Sequence, residues 1–85
     1  MDDKAIVIFK KKNDDKGIDI EIPLNITANE LIYGLNKALE LGIDMEDPEE
    51  AFFRMENPIG LIRGDVLLRE YGIRNGSILY NSMQR

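Results

Sequence analysis

The stretch from Leu61 to Tyr80 constrains the fold more than any other part of the chain. Leu61-Ile62 reads as a short strand and Arg63-Gly64-Asp65 as a turn. Leu67-Leu68-Arg69-Glu70-Tyr71 then makes a tight helical turn stopped by Gly72, and Ile78-Leu79-Tyr80 follows the Asn75-Gly76 turn as a last strand. Strands this short complete a sheet whose other members come from earlier in the sequence.

Those members are legible upstream. Ala5-Ile6-Val7-Ile8-Phe9 is apolar at every position and rich in β-branched residues, as a strand crowded by neighbours on both sides should be. The polar run 10–17 supplies Asn, Asp and Gly for a hairpin loop, and its mixed charges read as a solvated tip. Ile18-Asp19-Ile20-Glu21-Ile22 alternates strictly, so its isoleucines share one face and its acids the other; this half-buried second strand suits a sheet edge and is closed by Pro23.

One helix follows. Thr27 and Glu30 have the spacing of a capping box, and Ile26 and Leu31 occupy the two positions of a hydrophobic staple. Leu31, Leu35, Ala38 and Leu39 form an apolar stripe at helical spacing, and Gly42 stands where a left-handed residue would end the helix, which predicts a helix from Ala28 to Leu41. Gly34 inside it costs about 1 kcal/mol relative to alanine. A close approach of Leu31 or Ala38 to the sheet would explain that choice.

The segment 44–50 holds five carboxylates in seven residues. Calcium and magnesium take oxygen ligands, but an EF-hand-like loop needs alternating acids and a glycine at its sixth position, and Pro48 and the adjacent acid pairs break that order. A solvated acidic loop is the better reading. Ala51-Phe52-Phe53-Arg54-Met55 is the third strand, and 56–60 turns into the fourth. The whole order is ββ-α-ββ with a short helical turn before the last strand: an α+β fold with strands one and five parallel at the centre and the long helix packed across one face.

Composition narrows function by exclusion. At 85 residues the chain has room for one domain, spanning 1–85, with one modest core. It has no Cys and no His, which removes thiolate nucleophiles, disulfides, imidazole acid–base chemistry and most zinc sites. One small domain offers little concave volume, and no carboxylate pair has a spacing that predicts convergence, so neither an enzyme, a cofactor nor a metal is expected. Sixteen acidic against eleven basic residues give a net charge of −5, which disfavours nucleic acid or an anionic membrane surface as partner. No window is long and apolar enough to span a membrane, and the acidic Met1-Asp2-Asp3-Lys4 start is unlike a secretory signal; a cytoplasmic protein is expected.

Ile18-x-Ile20-x-Ile22, Thr27 at the head of the helix, and Leu68-Arg69-Glu70-Tyr71-Gly72-Ile73 together resemble ubiquitin over essentially the whole chain. The implied fold is the ubiquitin-like β-grasp. Ubiquitin and the sulfur carriers need a Gly-Gly carboxylate that can be adenylated. Asn81-Ser82-Met83-Gln84-Arg85 contains no glycine, and no Gly-Gly dipeptide occurs anywhere in the sequence, so conjugation is not expected.

More specifically, Arg63-Gly64-Asp65 with Leu68, Tyr71-Gly72-Ile73 and Asn75-Gly76 is similar to the YukD/EsaB family of bacterial ubiquitin-like proteins. That resemblance implies a non-conjugated accessory or regulatory component of type VII (WXG-type) protein secretion. It would act through protein contacts, with a secretion membrane component or ATPase as partner. The alternative is a small ubiquitin-like adaptor or oligomerising module outside secretion.

Alternation assigns faces once the helix covers one side of the sheet. Matching the helical turn to that of ubiquitin points Leu79 inward and Ile78 and Tyr80 outward, and in strand three Phe53 and Met55 inward with Phe52 and Arg54 outward. Strand one is apolar throughout and fixes no phase; placing Ile6 and Ile8 inward puts Val7 and Phe9 on the open face. Phe52, Arg54, Ile78, Tyr80, Val7 and Phe9 then form a candidate protein-binding patch, with the aromatic and arginine content of an interface hot spot. The aliphatic patch of ubiquitin does not carry over, because its strand-three isoleucine corresponds to Arg54 and its strand-five valine to Ser82.

Overall fold

The computed structural model describes residues 3–11 and 16–81. Five strands, β1 (Lys4–Lys10), β2 (Ile18–Pro23), β3 (Phe53–Glu56), β4 (Gly60–Ile62) and β5 (Ile78–Asn81), form one sheet in the order β2-β1-β5-β3-β4. β1 and β5 run parallel at its centre and the other pairs are antiparallel. Helix α1 (Ala28–Leu39) and a 3₁₀ turn (Leu68–Tyr71) complete the ubiquitin-like β-grasp. The tip of the first hairpin at 12–15 and the segment 82–85 lie outside the described residues. Among the described residues no helix is long and apolar enough to cross a membrane.

The capping box forms as the sequence predicts. Thr27 Oγ1 accepts from the Glu30 amide at 3.1 Å, and Glu30 Oε1 accepts from the Thr27 amide at 2.8 Å. The next orphan donors of the helix are met by the chain that arrives after β4: the Ala28 amide donates to Val66 O at 2.9 Å and the Asn29 amide to Gly64 O at 3.0 Å.

The far end of α1 departs from expectation. The helix stops at Leu39, with Glu40 in the left-handed conformation at φ 54°, rather than running to Leu41. Gly42 does take a positive φ of 75°, but two residues past the cap. The stop comes early because Asn36 binds the departing chain: its Nδ2 donates to Ile43 O at 2.8 Å and its Oδ1 accepts from Ile43 N at 2.9 Å. The buried stripe is Ala28, Leu31 and Ile32, flanked by partly buried Leu35 and Leu39; Ala38 is exposed. Gly34 also faces open space, with nothing within 4 Å of an added Cβ, so close approach to the sheet does not explain it.

β1 has the opposite phase to the one placed inward above. Ala5, Val7 and Phe9 are buried on the helix side, Val7 and Phe9 completely, while Ile6 is 50% exposed. The reason is register. Ala5 pairs with Ile22, Val7 with Ile20 and Phe9 with Ile18, so the odd residues of β1 share a face with the isoleucines of β2. Phe9 then meets Phe53 with ring centroids 5.2 Å apart and planes tilted by 59°, in a core that also takes Met55, Ile62, Leu68 and Leu79. Leu79, Phe53 and Met55 point inward as their alternation predicts.

Candidate functional site

With the odd residues of β1 in the core, its even residues line the open face. Across that face the registers set Lys10 beside Tyr80, Tyr80 beside Arg54 and Arg54 beside Leu61, a row crossing β1, β5, β3 and β4. The Lys10 ammonium lies 5.7 Å from the Tyr80 ring centroid and the Arg54 guanidinium carbon 5.4 Å from it, both within cation–π range. The ring is therefore covered, and Tyr80 is only 9% exposed although it points away from the helix. Glu56, two residues along β3 from Arg54 and on the same face, accepts from the phenol; that bond, with burial and the nearby negative charge, raises the Tyr80 pKa above its ordinary value, against the opposing effect of Arg54.

Beside this stack a shallow cleft of about 300 Å³ opens between β3 and β4, bounded by Arg54, Glu56, Ile59, Leu61 and Tyr80. Ile59 is 90% exposed and Leu61 50% exposed. The cleft thus pairs aliphatic walls with a cation and an anion. It suits an apolar side chain flanked by polar groups.

Of the six residues read as a patch, the structure brings together Arg54, Ile78 and Tyr80. Ile78 is half-buried between Ile8 and Glu56. Phe52 is half-buried one residue ahead of β3, outside the ladder. Val7 and Phe9 belong to the core and leave the patch; Lys10, Glu56, Ile59 and Leu61 enter it. Leu61 was findable from the sequence, because Ile62 pointing inward sends its neighbour out. Ile59 had no signal beyond its place in a turn.

The residues that carry the family resemblance serve architecture. Tyr71 Oη donates to Arg63 O at 2.7 Å and accepts from Arg63 N at 3.2 Å. Asn29 Oδ1 accepts from Gly64 N at 3.1 Å, and Asn75 Oδ1 accepts from Ile6 N at 2.8 Å. These bonds fasten the turn after β4 to the helix and the approach to β5 to β1. Three of the five carboxylates of 44–50 are likewise used locally: Asp44 Oδ1 accepts from Glu46 N, Asp47 Oδ1 from Glu49 N, and Glu50 Oε1 from Asp44 N.

A pattern of structural residues of this kind defines a family, and residues 6–80 match the model of the WXG100 protein secretion system (Wss) protein YukD. The chain belongs to the YukD family. No curated protein matches it. The YukD match covers every strand and both helical segments except the ends of β1 and β5. The motif from Arg63 to Gly76, whose turns hold the sheet together, lies within the matched residues.

Proposed function

We propose that this YukD-family chain is a non-conjugated accessory or regulatory component of WXG100 secretion. It works in the cytoplasm by protein–protein contact and performs no chemistry of its own. Its partner is a membrane component or the ATPase of the secretion machine, engaged through the open face of the sheet. The observation that carries this reading is the Lys10–Tyr80–Arg54 stack beside the exposed aliphatics Ile59 and Leu61: a rigid aromatic held between two cations, next to an apolar cleft, has the composition of an interface hot spot. Family membership supplies the secretion setting.

The test is binding to the purified cytoplasmic portions of the secretion membrane component and ATPase, measured for folded variants. Leu61→Asp and Arg54→Ala should each weaken the complex about tenfold or more. Tyr80→Ala is less diagnostic, because the covered ring contributes to packing as well. Glu49→Ala, in the acidic loop, should alter mainly the association rate and its salt dependence. Wild-type affinity in both Leu61→Asp and Arg54→Ala would remove the open face as the docking surface.

A further inference from the structure

β2 has one neighbour, and its far side meets no strand among the described residues. The phase of its ladder fixes which backbone groups point there. The Leu24 amide donates to Asp3 O at 2.6 Å, one step beyond the Lys4–Pro23 pair. Bonded pairs in an antiparallel ladder recur at every second residue, so Ile22, Ile20 and Ile18 turn their backbone groups toward β1. The even residues of β1 agree: Ile8 N donates to Ser77 O at 2.9 Å and Ile6 N to Asn75 Oδ1 at 2.8 Å, both on the β5 side. The N–H and C=O of Asp19 and Glu21 are therefore aimed outward along the edge, and Pro23 offers its carbonyl.

The side chains along this edge sort by face. Asp19 and Glu21 are exposed on the open side, whereas Ile18, 48% exposed, and half-buried Ile20 lie on the helix side. A cleft of about 310 Å³ adjoins Ile18 at the hairpin end, bounded also by Phe9, Gly17 and the lysines Lys11 and Lys16, so the acidic stretch of the edge is that of Asp19 and Glu21. A strand laid along β2 would put one set of alternate side chains over the two carboxylates and the other set against the isoleucines.

Charge selects the occupant. A second copy paired edge to edge would bring Asp19 and Glu21 of both chains together on molecules that each carry −5, and like charges facing each other across strands are destabilising. Natural edges are commonly blunted with lysine. An acidic pair blunts self-pairing in the same way yet attracts a cationic strand. We propose that the β2 edge captures an extended segment of a partner protein in which lysine or arginine alternates with aliphatic residues, adding a strand to the sheet. This surface lies at the opposite edge of the sheet from the β3–β4 cleft and does not depend on the docking reading above.

The probe is a synthetic seven-residue peptide of alternating valine and lysine, with the valine–glutamate peptide as counterpart, followed by amide exchange on the full chain. The lysine peptide should slow exchange of the Asp19 and Glu21 amides by about tenfold at saturation, and the glutamate peptide should not. Asp19→Asn with Glu21→Gln should weaken binding about tenfold and flatten its salt dependence. Glu21→Pro removes an outward N–H that the native ladder does not use, so the fold survives, shown by an unchanged amide spectrum elsewhere, while peptide protection is lost. The proposal is overturned by unprotected Asp19 and Glu21 amides at saturating lysine peptide, by equal binding of the glutamate peptide, by protection confined to Arg54 and Tyr80, or by self-association through this edge.

Discussion

Asn36 is the residue whose removal should damage this fold most for its exposure. Its amide makes two hydrogen bonds to the backbone of Ile43, at 2.8 and 2.9 Å, and Ile43 is only 6% exposed. Its own carbonyl accepts from the amides of Glu40 and Leu41, so one residue terminates α1 and fixes the direction of the chain leaving it. Asn36→Ala leaves the N–H and C=O of Ile43 without partners in a largely dry site. At about 1–3 kcal/mol for each buried group left unmade, reduced because water reaches the half-exposed position 36, the expected loss is about 2–4 kcal/mol. For a domain of this size that lowers Tm by roughly 10–25 °C. Asn36→Asp keeps the acceptor for Ile43 N but turns a carboxylate oxygen toward Ile43 O. The folded state then disfavours the charged form and raises the carboxyl pKa, so this variant should recover stability as pH falls and the carboxyl protonates. Urea melts of both variants across the acidic range, with exposed Lys37→Ala as control, supply the comparison. A loss below about 0.5 kcal/mol in Asn36→Ala, no larger than an ordinary surface change, would refute the argument that this side chain ends the helix.

Within α1, Thr27→Ala should cost about 1 kcal/mol through the lost cap, Ile32→Ala about 2–5 kcal/mol as a full core truncation, and Ala38→Ser close to nothing; denaturant melts rank them, and equal losses would mean the helix packs by another face. Gly17 holds φ 85°, and an added Cβ would stand 2.6 Å from Ile8 Cγ2, so Gly17→Ala should destabilise by about 1–3 kcal/mol in the same assay. The Tyr80 phenol, read as the ultraviolet difference between wild type and Tyr80→Phe, should titrate above the ordinary tyrosine range and move back down in Glu56→Gln. Because its folded pKa is raised, its contribution to stability is complete below the unfolded value of about 10 and is lost as pH rises through the folded pKa.

The parts of the fold that were legible before the structure are those where local chemistry and long-range packing agree. Thr27 and Glu30 can cap only a helix that starts there, and the alternation of Ile18, Ile20 and Ile22 permits only one buried face. β1 was harder because every residue of Ala5–Phe9 is apolar, and a period of two carries no phase when both phases are greasy. The missing signal lay at the ends of the strand: Lys4 and Lys10 share the even phase with Ile6 and Ile8 and mark it as outward. The end of α1 was misread for a different reason. Asn36 forced Glu40 into a conformation that costs a residue with a Cβ, a tertiary effect that no local preference reveals. In the candidate patch Arg54, Ile78 and Tyr80 were legible and Leu61 was findable from the inward Ile62, but Ile59 was not, since it is exposed by a turn whose geometry leaves no periodic trace.

The bonds that join Ile6 to Asn75 and Gly76 set when this chain can fold. The middle of the sheet is made from its first and last strands, and the loop ahead of the last strand reaches back across 69 residues to hold the first. On a ribosome, the hairpin and the helix emerge first and can cover only part of each other's apolar faces, because Phe53, Met55, Ile62, Leu68 and Leu79 of the same core come later. Chain closure over that span must come before the central pairing yields its stabilisation, so folding waits for the segment 75–81 to be released. Until then β1 has β2 on one side and an open, largely apolar edge on the other, and the lysines at its two ends disfavour pairing of that edge with the wrong neighbour.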